Sequence, residues 1–209
     1  MIMRAMPREV DGRSSRPDTV LSVVVGSLLG DGYVYPNGTL QIDHAWKQRE
    51  YVEWKYQQLV GIAGKSPRRV ERWDKRTERS YVSLRFYTKA IFKQERMAFY
   101  ADGVKGIPSD IDKWLDPLTV AVWFMDDGGR GGNTRHGMVF NVATFSSKDQ
   151  ELLQGTLKDR YGLETTLQHA GRGTHLYVRA ASAVRFVEIV GPHIIPSMLY
   201  KLPFDPVTT

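Results

Sequence analysis

An internal repeat is the feature that most constrains the fold of this chain, because a repeat implies similar structural units. Two apolar runs end in Asp-Gly, and their aspartates, Asp31 and Asp127, are 96 residues apart. A lysine shortly before a proline follows each aspartate after the same 74 residues, at Lys105 and Lys201. Unrelated segments would rarely keep an equal spacing over that length. The sequence therefore predicts two similar halves in tandem.

The two halves also repeat one order of predicted elements. Each apolar run is predicted to be a helix, and Asp116-Pro117 marks the start of the second, because aspartate caps free N–H groups and proline fits the first turn. A polar-faced hairpin, an amphipathic helix, two strands and a last helix follow in each half. The hairpins, amphipathic helices and last helices are predicted at 33–45, 48–61 and 88–100 in the first half, and at 137–145, 147–160 and 181–191 in the second.

The predicted fold class is α/β, of the α+β type, with a pseudo-two-fold axis relating two αββαββα halves. The first half is predicted at residues 18–108 and the second at 109–209. Residues 1–17 are basic and lack apolar periodicity, so they are predicted to be a flexible tail.

Composition excludes several classes of protein. The 209 residues include no cysteine, which excludes a disulfide scaffold, a thiolate zinc site and a cysteine nucleophile. No apolar stretch is long enough to span a bilayer, and no secretory signal is recognisable, so we expect an intracellular protein with no membrane partner. The net charge of +6 favours a polyanionic partner.

Much of the excess positive charge lies in residues 65–85, where eight Lys and Arg outnumber three Asp and Glu. In residues 80–86 and 174–179, apolar side chains alternate with polar ones, as in a strand with one buried face. The polar positions are Tyr81, Ser83, Arg85, His175, Tyr177 and Arg179. This pattern predicts a sheet face able to contact phosphates or base edges, and a solvated surface is the alternative for such a charge run.

The aspartates at the ends of the apolar runs point to a metal site. An aspartate in the last turn of a helix is unfavourable because the helix macrodipole is negative there, and two such carboxylates side by side repel each other. A cation between them relieves both effects, and oxygen ligands suit Mg²⁺ rather than zinc. The alternative is an Asp-Gly turn that closes each helix. Two copies with matched lysines favour the metal site.

At these residues the sequence resembles the LAGLIDADG homing endonucleases, specifically single-chain members with two motif copies. The motif segments are 26–33 and 123–129, with a further match at 194–203, and the resemblance runs from about residue 18 to 205. It implies two motif helices packed along the pseudo-two-fold axis and two saddle-shaped antiparallel sheets that straddle the major groove of a long DNA site. It also implies a monomer that hydrolyses phosphodiester bonds on both strands of double-stranded DNA, in the cytoplasm or organelle matrix that holds its host genome.

The two motif copies differ in their small residues. Val122 and Asp126 stand where the first copy has Gly26 and Gly30. Close backbone approach between the two helices must then depend on the glycines of the first helix alone.

The resemblance also implies site residues and a cofactor. Aspartates would hold the ion, lysines would add positive charge, and a polar residue on each first hairpin would order a metal or the attacking water. The implied catalytic residues are Asp31, Asp127, Lys105, Lys201, Asp43 and Asn141. The implied metal positions are Asp31 and Asp127 with the residues before them, Gly30 and Asp126. The expected ion is Mg²⁺, with Mn²⁺ or Ca²⁺ able to substitute for binding.

Side chains on the outward faces of the strands are predicted to contact DNA. Arginine suits guanine, and glutamine suits adenine, although several of these residues would touch only phosphate. The candidates are Tyr35, Gln41, Arg69, Arg72, Tyr81, Ser83, Arg85, Arg130, Arg135, Gln168, His175, Tyr177 and Arg179.

Two other functions are compatible with the same fold. An RNA-splicing maturase would use the basic sheets to bind intron RNA, and a regulator would bind DNA without cleaving it. The presence of both aspartates and both lysines favours a nuclease, and a protein with both nuclease and maturase activity stays open.

Overall fold

The computed structural model describes residues 18–101, 103–131, 137–171 and 173–204. The predicted tail at 1–17 and the predicted contact residue Arg135 lie outside these ranges. The first half contains α1 (Asp18–Leu29), β1 (Tyr33–Val34), β2 (Thr39–Ala45), α2 (Arg49–Gln58), β3 (Arg68–Asp74), β4 (Arg79–Ala90) and α3 (Lys93–Phe99). The second contains α4 (Pro117–Asp127), β5 (Gly128–Arg130), β6 (Met138–Asn141), α5 (Ser147–Tyr161), β7 (Thr165–Ala170), β8 (Gly173–Val178) and α6 (Ala183–Val190).

The strands form two antiparallel sheets of four strands, ordered β1-β2-β4-β3 and β5-β6-β8-β7. The same order of helices and strands therefore occurs twice, and the predicted α+β fold class is confirmed. One apolar core contains buried side chains from both halves. Among the described residues, no helix is long and apolar enough to cross a membrane.

Helices α1 and α4, called the motif helices below, pack against each other along their buried faces. A methyl group added at Gly26 would lie 2.6 Å from Cβ of Val122, and one at Gly30 would lie 2.3 Å from Cβ of Asp126. Carbon atoms cannot approach so closely, so only glycine fits at both positions. The expectation that the glycines of one helix permit the close approach is confirmed.

The start of α4 is capped as predicted. Asp116 precedes the helix and accepts a hydrogen bond from the backbone N–H of Thr119 at 2.7 Å, and Pro117 occupies the first helical position. The same carboxylate accepts a hydrogen bond from the Ser22 hydroxyl of α1. The cap therefore also joins the two motif helices at the end opposite the aspartates.

Two predicted boundaries are wrong. The last helix of the first half was expected at 88–100, but β4 continues to Ala90, which pairs with Thr39 of β2, and the helix begins at Lys93. At the irregularity in this pairing, the Thr88 hydroxyl accepts a hydrogen bond from the Leu40 backbone N–H at 3.0 Å. The second hairpin was expected at 137–145, but its first strand is β5, which pairs with β6. β5 was not predicted because glycine, which is rare in strands, occupies two of its three positions. At Gly128 the glycine is required, since a side chain there would collide with Phe124.

Strand register shows which residues of the two halves are equivalent. Tyr33 lies two positions after Asp31 and pairs with Gln41. Gly129 lies two positions after Asp127 and pairs with Val139. Two residues farther along the second strands lie Asp43 and Asn141. These two residues are therefore structurally equivalent, although the hairpins differ in length.

Overpacking at the motif-helix contact gives a stability test. Gly26→Ala should lower the free energy of unfolding by about 1–3 kcal/mol, because the added methyl group displaces the backbone of Thr119 or the side chain of Val122. Denaturant unfolding followed by circular dichroism measures the change.

The matched control is Gly155→Ala in α5, where an added methyl group meets no atom within 4 Å. This variant should be as stable as the wild type or more stable, since alanine favours a helix over glycine. A Gly26→Ala protein as stable as the control would contradict the close packing.

Candidate functional site

The motif helices bring the two predicted metal-binding aspartates to one end of the helix pair. Asp127 is the last residue of α4, and Asp31 lies just beyond α1. The close contact of Gly30 with Asp126 sets the separation of the two helix ends. The negative charge of Asp31 contributes to the pKa of Asp127, so the carboxylates are electrostatic neighbours.

The environment of Asp127 disfavours its negative charge. Burial, followed by the charges of Asp31 and Asp126, raises its pKa from 3.8 to about 7, while Lys105 and Lys201 oppose the shift. A divalent cation would remove this penalty, because it compensates the clustered negative charge. The shift of Asp127 therefore fits a cation site.

Asp31 has the opposite shift. A hydrogen bond from His44 lowers its pKa, and the charges of Lys55 and Lys105 act in the same direction against the effect of burial. Half of the Asp31 side chain is exposed. The first carboxylate is therefore ionised and accessible in the absence of a cation.

The two predicted lysines occupy corresponding places. Lys105 donates a hydrogen bond to the carbonyl oxygen of Gly30 at 2.5 Å, at the end of α1. Lys201 donates to the carbonyl oxygens of Met125 and Asp126, at 2.5 and 3.1 Å, at the end of α4. Both ammonium groups thus neutralise the negative ends of the motif helices. Burial lowers the pKa of both lysines, and the neighbouring aspartates oppose that shift.

The donor set fits a hard divalent cation completed by other ligands. Within the described ranges, no three His, Asp or Glu side chains lie close enough to form a metal site by themselves. Mg²⁺ commonly takes one or two protein carboxylates and fills its octahedron with water and substrate phosphate. The carboxylates of Asp31 and Asp127, with the carbonyl oxygens of Gly30 and Asp126, meet that requirement.

The side chain of Asp126, one of the predicted metal positions, is bonded within the protein. Its Oδ1 accepts hydrogen bonds from Lys55 Nζ and Tyr51 Oη, both at 2.7 Å, and its Oδ2 accepts one from the Asp31 backbone N–H at 3.2 Å. The carboxylate is completely buried. The Asp126 side chain therefore has no free oxygen for a metal ion, and its carbonyl oxygen, which could still face one, also accepts a hydrogen bond from Lys201.

The described hydrogen bonds of the predicted hairpin residues run to partners other than the motif aspartates. Asp43 Oδ2 accepts hydrogen bonds from Arg85 Nε at 3.0 Å and from Arg72. Asn141 Oδ1 accepts one from the Ala143 backbone N–H at 3.1 Å. Alternation along the strand explains this placement, because these residues share the outward face, whereas the residue after Asp43 points inward.

That next residue, His44, is a site residue that the sequence did not reveal. Its Nδ1 lies 3.4 Å from Oδ2 of Asp31, and its Nε2 lies 3.3 Å from Lys55 Nζ. One signal was present in the sequence. Lys55 lies between Val52 and Leu59 on the apolar face of α2, and a lysine there requires a buried carboxylate partner.

The predicted contact residues lie on both sheets, with different freedom to bind. In β4 and β8, apolar side chains point inward, while Ser83, Arg85, His175 and Tyr177 point outward as expected. Tyr81 is 52% exposed at the outer end of β4. Other predicted contact residues are exposed or partly exposed on or beside the strands, namely Tyr35, Gln41, Arg69, Gln168 and Arg179.

Four of the predicted arginines already have protein partners. Arg69 donates a hydrogen bond to the Glu71 carboxylate at 3.4 Å. Arg72 and Arg85 bind Asp43, and Arg130 donates from Nε to the carbonyl oxygen of Leu202 at 2.8 Å. The pair on Asp43 fixes the orientation of two guanidinium groups on the first sheet. Recognition by those arginines would therefore start from a preorganised arrangement.

A family model described as the LAGLIDADG DNA endonuclease family matches residues 21–186. The chain belongs to that family. The structure is similar to the homing endonuclease I-WcaI bound to its DNA recognition sequence, with a TM-score of 0.83, 23% identity, and coverage of 90% of this chain and 88% of that one.

Two curated relatives show how widely such sequences occur. Protein RecA of Mycolicibacterium chitae is 31% identical over 210 residues, which cover 88% of this chain and 46% of that protein. The cytochrome b mRNA maturase bI2 of Saccharomyces cerevisiae is 30% identical over 201 residues, which cover 88% of this chain and 47% of that protein. The chain spans about half the length of these relatives.

The raised pKa of Asp127 predicts a pH-dependent stability effect. Between pH 4 and about 7, Asp127 binds more protons in the folded protein than in the unfolded chain. The free energy of unfolding therefore falls as pH rises through this range. Asp127→Asn should therefore gain stability relative to the wild type between pH 5 and pH 8 in metal-free buffer.

Thermal unfolding of both proteins at several pH values measures this gain as a growing difference in Tm. Adding Mg²⁺ at pH 8 should stabilise the wild type and leave the Asp127→Asn variant nearly unchanged. A difference in Tm that stays constant with pH would show that Asp127 titrates normally.

Proposed function

We propose that this protein is a site-specific endonuclease that hydrolyses both strands of a long, asymmetric double-stranded DNA site with divalent metal ions. The convergence of Asp31 and Asp127 at the paired ends of the motif helices, with one lysine bound to each end, carries this proposal. The related I-WcaI, whose fold is shared, is bound to its DNA recognition sequence. We propose that one chain binds one site, since the two sheets present different outward residues.

The residues at the centre suit phosphodiester hydrolysis. Asp31 and Asp127 would hold the cation through their carboxylates, at the helix ends that also carry the carbonyl oxygens of Gly30 and Asp126. When bound, Mg²⁺ supplies Lewis acidity for attack on phosphorus. Lys105 and Lys201 place positive charge next to the reacting phosphate, where it stabilises the charge that develops in the transition state.

The two sheets provide the surface for the duplex. Tyr81 is more than half exposed on the outward face of the first sheet and pairs across the strands with Arg72, one of the two arginines held by Asp43. Guanidinium groups and aromatic rings there can bind phosphates and base edges. The alternating strands keep these side chains outward while their neighbours fill the core.

A maturase activity is the second candidate. The maturase bI2 of Saccharomyces cerevisiae, similar over 88% of this chain, supports it. Intron RNA would occupy the same basic sheets and would not require the aspartate pair. A nuclease and a maturase are therefore distinguished by variants of these aspartates.

The target must be found before either function is tested. Supercoiled plasmids carrying a randomised insert are incubated with the protein and Mg²⁺, and the linear products are sequenced. The enriched site then serves as substrate for cleavage and binding assays. Linear products with no common site would count against site-specific cleavage.

Asp31→Asn and Asp127→Asn should each abolish double-strand cleavage of that site, because no neighbouring side chain can replace the lost metal-binding charge. Affinity for the uncut duplex should persist in metal-free buffer and rise modestly, since a carboxylate near phosphate is repulsive. Gel cleavage and fluorescence-anisotropy binding assays measure these results.

The control is Asp159→Asn, which makes the same charge change at an exposed position of α5 and should leave cleavage and binding unchanged. Wild-type cleavage rates in both aspartate variants would refute the catalytic assignment. Joint loss of binding and folding would show that the aspartates are structural caps. Splicing of intron RNA unaffected by these variants would favour the maturase.

A further inference from the structure

The two halves differ in the polarity of their cores next to the motif helices. His44 follows Asp43, and Val142 follows the structurally equivalent Asn141. Lys55 lies 11 residues after His44, and Leu153 lies 11 residues after Val142. All four side chains are buried. The first half therefore has two polar residues where the second half has two apolar ones.

These polar residues form a continuous chain of contacts between the halves. Lys55 Nζ of α2 donates to Oδ1 of Asp126, on α4, at 2.7 Å, and lies 3.3 Å from His44 Nε2. His44 Nδ1 lies 3.4 Å from Oδ2 of Asp31. Asp126 also accepts a hydrogen bond from the backbone N–H of Asp31. Helix α4 therefore contacts the main chain of Asp31 directly, and it contacts the side chain of Asp31 through Lys55 and His44.

The contacts of His44 fix the orientation of its ring. Nε2 lies 3.3 Å from Lys55 Nζ and 3.7 Å from Oδ1 of Asp126, while Nδ1 faces Asp31. Lys55, itself held by Asp126, packs against the Nε2 side of the ring and so keeps Nδ1 directed at the first carboxylate.

Folding stability alone does not account for these buried polar groups. Well-packed apolar residues often replace a buried ion pair with no loss of stability, because burial removes charges from water at a cost. Val142 and Leu153 show that this fold accepts an apolar core at the equivalent place. The polar cluster does, however, supply the first carboxylate with a hydrogen-bonding partner, and such partners orient metal ligands.

We propose that His44, held by Lys55 and Asp126, is a positioning residue that orients the Asp31 carboxylate for a divalent cation. The inference rests on the proposed function, since it concerns the same metal site. It also makes the two cleavage centres unequal, because the apolar Val142 offers no such donor to Asp127. Loss of the His44 donor should weaken cation binding and slow nicking of one strand more than the other.

The test compares His44→Leu with His44→Asn, two substitutions of similar shape. The asparagine amide can donate from the position of Nδ1, whereas leucine cannot. Mn²⁺ binding to the full chain, measured by electron paramagnetic resonance without DNA, should weaken by about 10-fold or more in His44→Leu and stay close to wild type in His44→Asn. His193→Leu, at a histidine outside this chain of contacts in the turn after α6, is the control and should bind as the wild type does.

A variant that fails to fold is replaced by the triple change His44→Val, Lys55→Leu and Asp126→Ala, which gives the first half an apolar core. This protein should fold, bind Mn²⁺ weakly and nick the two strands at less unequal rates at limiting Mg²⁺, because neither centre then has a histidine donor. Wild-type Mn²⁺ affinity in the triple variant, or in His44→Leu, would overturn the proposal.

Nuclear magnetic resonance of ¹⁵N-labelled histidine tests the geometry without any metal. The His44 ring should carry a proton on Nδ1, and its signals should move in Asp31→Asn. A ring protonated only at Nε2 would overturn the proposed orientation. If the wild type cleaves no duplex, the proposed function fails, whereas the Mn²⁺ titration and the histidine spectrum still decide this inference.

Discussion

Close packing of the two motif helices is the constraint on which the rest of the structure depends. Gly26 and Gly30 remove the side chains that would hold α1 away from α4, and Val122 and Asp126 occupy the space they leave. The helices therefore end side by side, with an aspartate at each end. One short contact thus fixes the relative position of the halves and of the candidate metal ligands.

That arrangement concentrates negative charge at one place. Two helix ends and three carboxylates meet there, and the protein compensates with Lys105 and Lys201 on the terminal carbonyl groups and with buried Lys55 on Asp126. The compensation is incomplete at Asp127, whose pKa is raised to about 7. A centre of this kind suits a divalent cation that takes few protein ligands and completes its coordination with phosphate and water.

The pseudo-symmetry of the backbone contrasts with the asymmetry of the side chains. Equivalent strand positions hold Asp43, bound to two arginines, and Asn141, which caps a local turn. Beneath them, His44 in one half corresponds to Val142 in the other. Both the surface and the core are therefore adapted separately in each half, which suits an asymmetric DNA site and unequal cleavage centres.

The sequence by itself determined the repeat, the elements and the pairing of each aspartate with a lysine 74 residues later, because spacing and periodicity are local properties of the chain. Tertiary structure decided which groups meet. Asp43 points outward and binds arginines, and His44 lies against Asp31. The short glycine-containing segment β5 forms a strand because it pairs with β6. Such contacts depend on strand register and on packing between the halves, so no local pattern encodes them.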